Sequence, residues 1–427
     1  MIRLAYRLLT CSAAVLAYPV GVLLAVLGRP ALLDRLRPPA DIPLGGPVRV
    51  WIHAASVGEA GIAAAMAEKI KKEYPGALTF VSTMTVTGLA RIRCLNEQSG
   101  GFLVDRVFLA PLDCPLVARA FVNRVSPTIC MLVETELWPS LIEALDRSGI
   151  PVVMINGKLT RRSFRRYMAV KTFMESTVRR IALCCVQSRP YARRFSMMGV
   201  PADTIEITGN IKFDSLPDPA VYDRRTILGE FGLPPGARVF TAGSTRPGEE
   251  EIIIQAFKTI LGHHPGAVMI IAPRHLKRVR EVGRILSEYG LEYVLRTSGE
   301  QLESTGRPVL LLDTMGELIT AFACSEAAFV GGSLGEYGGH NPMEPAALGI
   351  PVLFGPYMEQ TGAKELLDGD AAALVHDETE LALMISRLLT DDSERLKMGR
   401  AGLAVVGRFR GGLDRTLRCM RERGIMG

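Results

Sequence analysis

Aromatic residues are scarce in this chain, at 6% of 427 residues. With no zinc-finger spacing and no aromatic-rich RNA-binding signature either, a nucleic-acid partner is disfavoured. The eight cysteines, at 11, 94, 114, 130, 184, 185, 324 and 419, contain no Cys-x-x-Cys pair. Several lie inside apolar runs, so they read as buried free thiols of a cytoplasmic compartment, with neither disulfides nor a metal site expected. The glycine-rich loops lack both the G-K-[ST] ending of a phosphate-binding P-loop and the G-x-G-x-x-G run of a dinucleotide fold. Neither route to ATP or NAD is therefore supported. Charge of one sign is also limited. A net +6 suits a membrane-surface protein or a binder of phosphorylated substrates.

What is present is 48% hydrophobic and 22% charged, the balance of a folded protein long enough for two domains. Residues 8–27 are twenty residues without a charge, just long enough to span a bilayer as a helix. Pro19 sits near the middle, where a membrane helix tolerates it. Residues 1–30 therefore read as an uncleaved membrane anchor. A cleaved signal peptide and a monotopic or buried helix are the alternatives. Arg3 and Arg7 precede the run, and Arg29, Arg35 and Arg37 follow it, a bias that places the domains on the cytoplasmic side.

Beyond a proline-rich linker, short apolar runs alternate with helical patterns, as in VRVWIHA at 48–54 and ALTFVST at 77–83. Continuous apolar strands separated by helices predict α/β folding with parallel sheets covered on both faces. A Pro- and charge-rich break near 214–236 separates two such series. The expected domains are 44–214 and 220–410, with a helix at 411–427 packing back on the first. Two domains of this kind imply a cleft, with chemistry in the loops after the strands.

In the first domain HAASVGEAG opens a helix. Ser56 and Glu59 have capping-box spacing, so Glu59 reads either as a helix cap or as a catalytic base. The helix dipole there lowers a carboxylate pKa, which weakens a base. His53 orients substrate or fills a polar spot. Ser82, Thr83, Thr85 and Thr87 contact an acceptor or are polar filler. Glu134, Glu136 and Trp138, in ETELWP, suit a substrate-proximal structural role. The run 158–171 holds six basic residues and no acidic one, with Arg161 and Arg162 on a helical face suited to anionic lipid. Lys212 closes the domain, where it meets a donor's negative charge.

In the second domain TAGSTRPGEEE follows a strand, and Gly243, Ser244 and Thr245 are candidate phosphate donors. Arg274 and His275 end the next strand. Arg274 can grip a phosphate or carboxylate with paired hydrogen bonds. The following LKRVR reads as a solvated helix. Seven glycines fall between 331 and 355, more than a helix start at Asn341, Pro342 and Glu344 needs. They read as room for a bulky ligand, with Glu344 placed to hold ribose hydroxyls.

Together HAASVGEAG, ETELWP, ITGNIKFD, TAGSTRPGEEE, APRH and GGSLGEYGGHNPMEPAALGIPVLFGP resemble the 3-deoxy-D-manno-octulosonic acid (Kdo) transferases, from the N-terminal anchor to about residue 410. The resemblance implies the GT-B fold, two Rossmann-like domains facing across a cleft. It implies a CMP-Kdo donor on the C-terminal domain and a tetra-acylated lipid A precursor, an anionic lipid acceptor, on the N-terminal one. Transfer would be inverting, with no cofactor and no metal, at the bacterial inner membrane, adding one or two Kdo residues. It assigns Glu59 as the base and Lys212, Arg274, Gly335, Asn341 and Glu344 to the donor. The residues themselves add Ser244 to the donor candidates and make Ser56, Gly58, Ser82, Thr83, Arg161 and Arg162 the acceptor candidates.

Overall fold

The computed structural model describes residues 2–302 and 307–426. The chain forms two compact units, 1–215 with 410–427, and 216–409.

The first unit is built on a parallel sheet of seven strands: β1 (Arg49–His53), β2 (Leu78–Thr83), β3 (Arg106–Leu109), β4 (Ile129–Val133), β5 (Val152–Gly157), β6 (Ile181–Val186) and β7 (Ile205–Ile207). Their order is β3-β2-β1-β4-β5-β6-β7. β1, β4 and β5 are buried along their whole length because helices cover both faces, which is why they read as unbroken apolar runs. One face packs under α3 (Val57–Glu73), with Ile62, Met66 and Ile70 in the core. The opposite face packs under α5 (Pro115–Val125) and α6 (Pro139–Arg147), with Phe121 and Leu145. The C-terminal helix Gly412–Glu422 adds Leu417 and Met420 to the α3 side of the same unit.

The second unit repeats the scheme with β8 (Arg238–Thr245), β9 (Ala267–Pro273), β10 (Tyr293–Leu295), β11 (Val309–Leu311), β12 (Ala327–Val330), β13 (Val352–Phe354) and β14 (Ala372–Leu374). Their order is β10-β11-β9-β8-β12-β13-β14, all parallel. The strand order reverses between β1 and β4 in the first sheet and between β8 and β12 in the second, where β11 also returns to lie between β9 and β10. At the β1–β4 and β8–β12 reversals the connections diverge to opposite sides and leave a crevice beyond the strand ends.

The thiols behave as buried hydrophobes. All eight cysteines are free, and five are fully buried. Burial pushes Cys184 and Cys324 up to about 12, so they stay protonated.

At the N-terminus α1 runs from Ile2 to Val26, with Pro19 inside it. Its segment Arg3–Val26 is long and apolar enough to cross a membrane. A short helix, α2 (Ala31–Asp34), follows.

Candidate active site

In the first unit the loop after β1 turns directly into α3. Ser56 is the residue before the helix, yet its hydroxyl makes no capping bond. It donates to Glu59 Oε1 at 2.9 Å, while the Ala55 N–H donates to Oε2 at 2.7 Å. The capping-box spacing thus produces a carboxylate held by one donor on each oxygen, which leaves each oxygen further acceptor capacity. Glu59 is 9% exposed. Burial raises its pKa above the ordinary value, the negative charges of Glu136 and Glu134 add to the rise, and the bonds from Ser56 and Ala55 oppose it. Burial is the largest of these influences.

The two neighbouring carboxylates come from the loop after β4, across the switch point. Glu134 adopts a left-handed backbone, φ 59°, unusual for a non-glycine residue. Its carboxylate pairs with Lys212 Nζ at 3.1 Å. Trp138 Nε1 donates to Glu136 Oε2 at 2.8 Å.

The register of β1 and β2 sets His53 beside Ser82. Trp51 Nε1 donates to Ser82 Oγ at 2.8 Å, and His53 Nδ1 lies 2.9 Å from the same oxygen. Ser82 is fully buried, and so is Thr83, whose hydroxyl donates to the Thr85 carbonyl. These two hydroxyls, acceptor candidates in the sequence, are engaged within the unit at the strand ends. Thr85 caps α4 (Val86–Gln98) through the Gly88 N–H. His53 Nε2 is buried without a hydrogen bond among the described residues, with Glu136 Oε2 3.8 Å away.

Gly58 lies in the first turn of α3, where only the Ser56 hydroxyl comes near a Cβ position. Arg161 and Arg162 open α7 (Arg161–Ala169). With Arg165 and Arg166 they are exposed and make no ion pair among the described residues.

In the second unit the loops after β8 and β12 are fastened together by Glu249. Its Oε1 accepts from the N–H groups of Ser333 and Leu334 at 2.8 and 2.9 Å, and its Oε2 from those of Gly332 and Arg246 at 2.7 and 2.8 Å. The amides at 332–334 are therefore occupied by a carboxylate of the protein itself. The glycines also have an internal reason. A Cβ on Gly331 would meet the Ser244 carbonyl at 2.6 Å, and one on Gly355 the Ser333 carbonyl at 2.3 Å. Close backbone packing, more than ligand clearance, demands glycine at these two positions.

What faces outward at this switch point is cationic. The Arg274 side chain is exposed and has no hydrogen bond or ion pair among the described residues. Arg246 lies 3.1 Å from His275 Nε2 and over the Tyr337 ring at 5.4 Å. Burial and the charges of Arg246 and Arg274 lower His340 to about 4, so it is neutral at pH 7. Ser244 stands at φ 59° at the end of β8. Gly335 lies in the loop against Tyr337. Asn341 accepts from the Met343 N–H and donates to Glu344 Oε1 at 3.0 Å, so Glu344 is not a backbone cap. Burial raises the Glu344 pKa, opposed by Asn341 and by the positive charge of Arg274.

Sequence reasoning missed Arg246 and Glu249, although both stand in the quoted TAGSTRPGEEE. An acidic run opening a helix, Glu249 to Glu251, was the available signal. It also misread Arg278 as solvated. This guanidinium is buried and pairs with Glu250 and Glu281. Among the described residues, no group of three His, Cys, Asp or Glu is placed to hold a metal ion.

A family model described as 3-deoxy-D-manno-octulosonic-acid transferase (kdotransferase) matches residues 28–215. The 3-deoxy-D-manno-octulosonic acid transferase of Haemophilus influenzae is 33% identical over 377 residues, 87% of this chain and 86% of that one. Its counterpart in Bordetella pertussis is 28% identical, covering 92% and 91% of the two chains. Among solved structures, a UDP-N-acetylglucosamine 2-epimerase matches with TM-score 0.61 at 16% identity, over 90% of this chain and 98% of that one. That likeness concerns the fold alone, and with the two doubly wound sheets it is the GT-B class expected from the sequence.

Proposed function

This chain belongs to the Kdo transferase family, and on that premise we propose that it moves Kdo from CMP-Kdo to a tetra-acylated lipid A precursor with inversion, using Glu59 as general base. The observation that carries the reading is the carboxylate of Glu59, oriented by Ser56 and Ala55 and raised in pKa at a switch point. An acceptor hydroxyl attacks the anomeric carbon of the donor. The new C–O bond forms as the bond to the CMP phosphate breaks, and the hydroxyl proton passes to Glu59.

Donor binding falls to the second unit. Arg274, with Arg246 near it, meets the phosphate or the Kdo carboxylate, two anions that need cationic partners. Ser244, Gly335, Asn341 and Glu344 complete the donor site, Glu344 taking ribose hydroxyls. Lys212, paired with Glu134, is the first unit's candidate for a negative charge of the donor. No metal and no cofactor take part in this scheme. Acceptor binding falls to Ser56, Gly58 and the exposed face of α7, whose Arg161 and Arg162 suit lipid phosphates. The protein works at the cytoplasmic face of the bacterial inner membrane, with α1 as its membrane element.

Mass spectrometry of lipid products after incubation with CMP-Kdo and the acceptor tests the reading. Product heavier by one or two Kdo units is expected. No mass gain with folded protein in detergent would refute it, and a screen of nucleotide sugars would then separate a UDP-sugar enzyme of the same fold.

A further inference from the structure

α1 touches the first unit at points from Tyr6 to Gly21, while most of its apolar segment is uncovered. Near its start the Tyr6 hydroxyl donates to Asp113, and Arg7 pairs with Glu143. The Tyr6 ring stands 5.1 Å from that of Phe173. Midway, Cys11 Sγ lies 3.5 Å from Cys114 Sγ, and Ala14 is buried with Cys114 and Leu36. Further on, Arg37 lies over the Tyr18 ring at 5.0 Å, and Gly21 packs so closely on α2 that a Cβ would stand 3.3 Å from the Leu33 nitrogen. Positions 7, 11, 14, 18 and 21 form one helical stripe.

The opposite stripe is apolar and uncovered. Leu9, Leu16 and Leu23 are exposed along it, Leu16 to 72%, and Leu4, Leu8, Val15 and Val26 are exposed on its flanks. From Tyr6 to Gly21 the helix advances about 22 Å at 1.5 Å per residue. If it crossed the hydrocarbon, the Asp113 and Glu143 that grip its first turns would be drawn into the bilayer or across it, with Arg147 and Arg180 beside Glu143. Desolvating those charges costs far more than burying one helix face requires.

We propose that α1 lies in the plane of the membrane, held along the first unit, with its outer face inserted into one leaflet of an anionic phospholipid bilayer. This rests on the membrane reading above and replaces a spanning anchor by a monotopic one. Charge complementarity selects the lipid. A groove of about 870 Å³ opens at the C-terminal end of α1, lined in part by Leu33, Leu89, Arg29, Arg37, Arg93 and Arg106. Arg106 is paired with Asp41 at 2.7 Å, whereas Arg29 and Arg93 have no ion pair among the described residues. Cations at the rim of an apolar helix face match phosphate headgroups.

The test uses the full chain in sealed vesicles of phosphatidylethanolamine and phosphatidylglycerol. Arg3→Cys and Ala40→Cys, each alone, are treated with a membrane-impermeant maleimide mass tag, with the unmodified chain as background. In-plane binding predicts that both positions react from the same side before detergent is added. Reaction of position 3 only after detergent, with position 40 already labelled, overturns the proposal. Leu9→Trp, Leu16→Trp and Leu23→Trp give an independent measure. Equal depths by lipid-quencher fluorescence are expected, and a central position much deeper than an end would overturn it. A chain that fails to float with the vesicles refutes the membrane reading itself, a result distinct from spanning.

Discussion

Ser56 donates its hydroxyl hydrogen to Glu59 at 2.9 Å, in the place where a helix cap would accept one. The bond favours the charged carboxylate against the burial that raises its pKa. Glu59 acts as a base only when ionised, so the acid limb of kcat/KM lies above the ordinary glutamate value of 4.5. Ser56→Ala removes a donor to the anion and moves that limb to still higher pH. A pH–rate profile of both proteins checks this, and an unmoved limb would detach Ser56 from the base.

Glu59→Gln is expected to lower kcat by about 100-fold or more, the usual scale of a lost general base. The fold should survive. The folded-state pKa is raised, so ionised Glu59 costs stability as pH rises through its unfolded value toward its folded one. The variant therefore melts no lower than the parent at pH 7 by this effect. Any gain it shows fades below pH 4.5, where both states of the parent are protonated. Thermal melts at the two pH values read it.

Ser82→Ala should act on stability and leave acceptor KM nearly unchanged. It strands the buried Trp51 N–H and frees the His53 ring, at a cost of about 1–3 kcal/mol. Urea unfolding set beside acceptor titration separates the two effects. A large KM rise without loss of stability would return Ser82 to the acceptor surface.

Glu249→Ala leaves four N–H groups without their carboxylate, three of them in the loop after β12. Each buried orphan costs about 1–3 kcal/mol, so this substitution should rank among the most destabilising in the second unit. Calorimetry and donor affinity should fall together. Loss of affinity with an unchanged melt would make Glu249 a ligand contact instead of a fastener.

Arg274→Ala is the converse case. The side chain is exposed and unpaired among the described residues, so the melt should hold. Donor affinity should drop about 10- to 100-fold, from loss of a charge-assisted bond of about 1.5–3 kcal/mol. Isothermal titration with CMP-Kdo, or with CMP as a stable probe, gives the number. Unchanged affinity would remove Arg274 from the donor site.

The sequence by itself determined the α/β class and the strand-end loops that carry the candidate residues. Fully buried parallel strands must be unbroken apolar runs, and the turns after them must be small or glycine-rich, so both leave a local trace in VRVWIHA, ETELWP and GGSLGEYGG. Motif identity likewise led to the family. Pairings between distant positions leave no such trace. Only the tertiary structure decided that Ser82 serves Trp51 and His53, that Glu249 fills the amides of a loop more than eighty residues away, and that Arg278 is buried against Glu250. The same holds for α1: its composition permits crossing a membrane, and its contacts with Asp113, Glu143 and Cys114 hold it along the first unit. Hydrophobicity and spacing are properties of a segment, whereas a hydrogen-bond partner is a property of the packed chain.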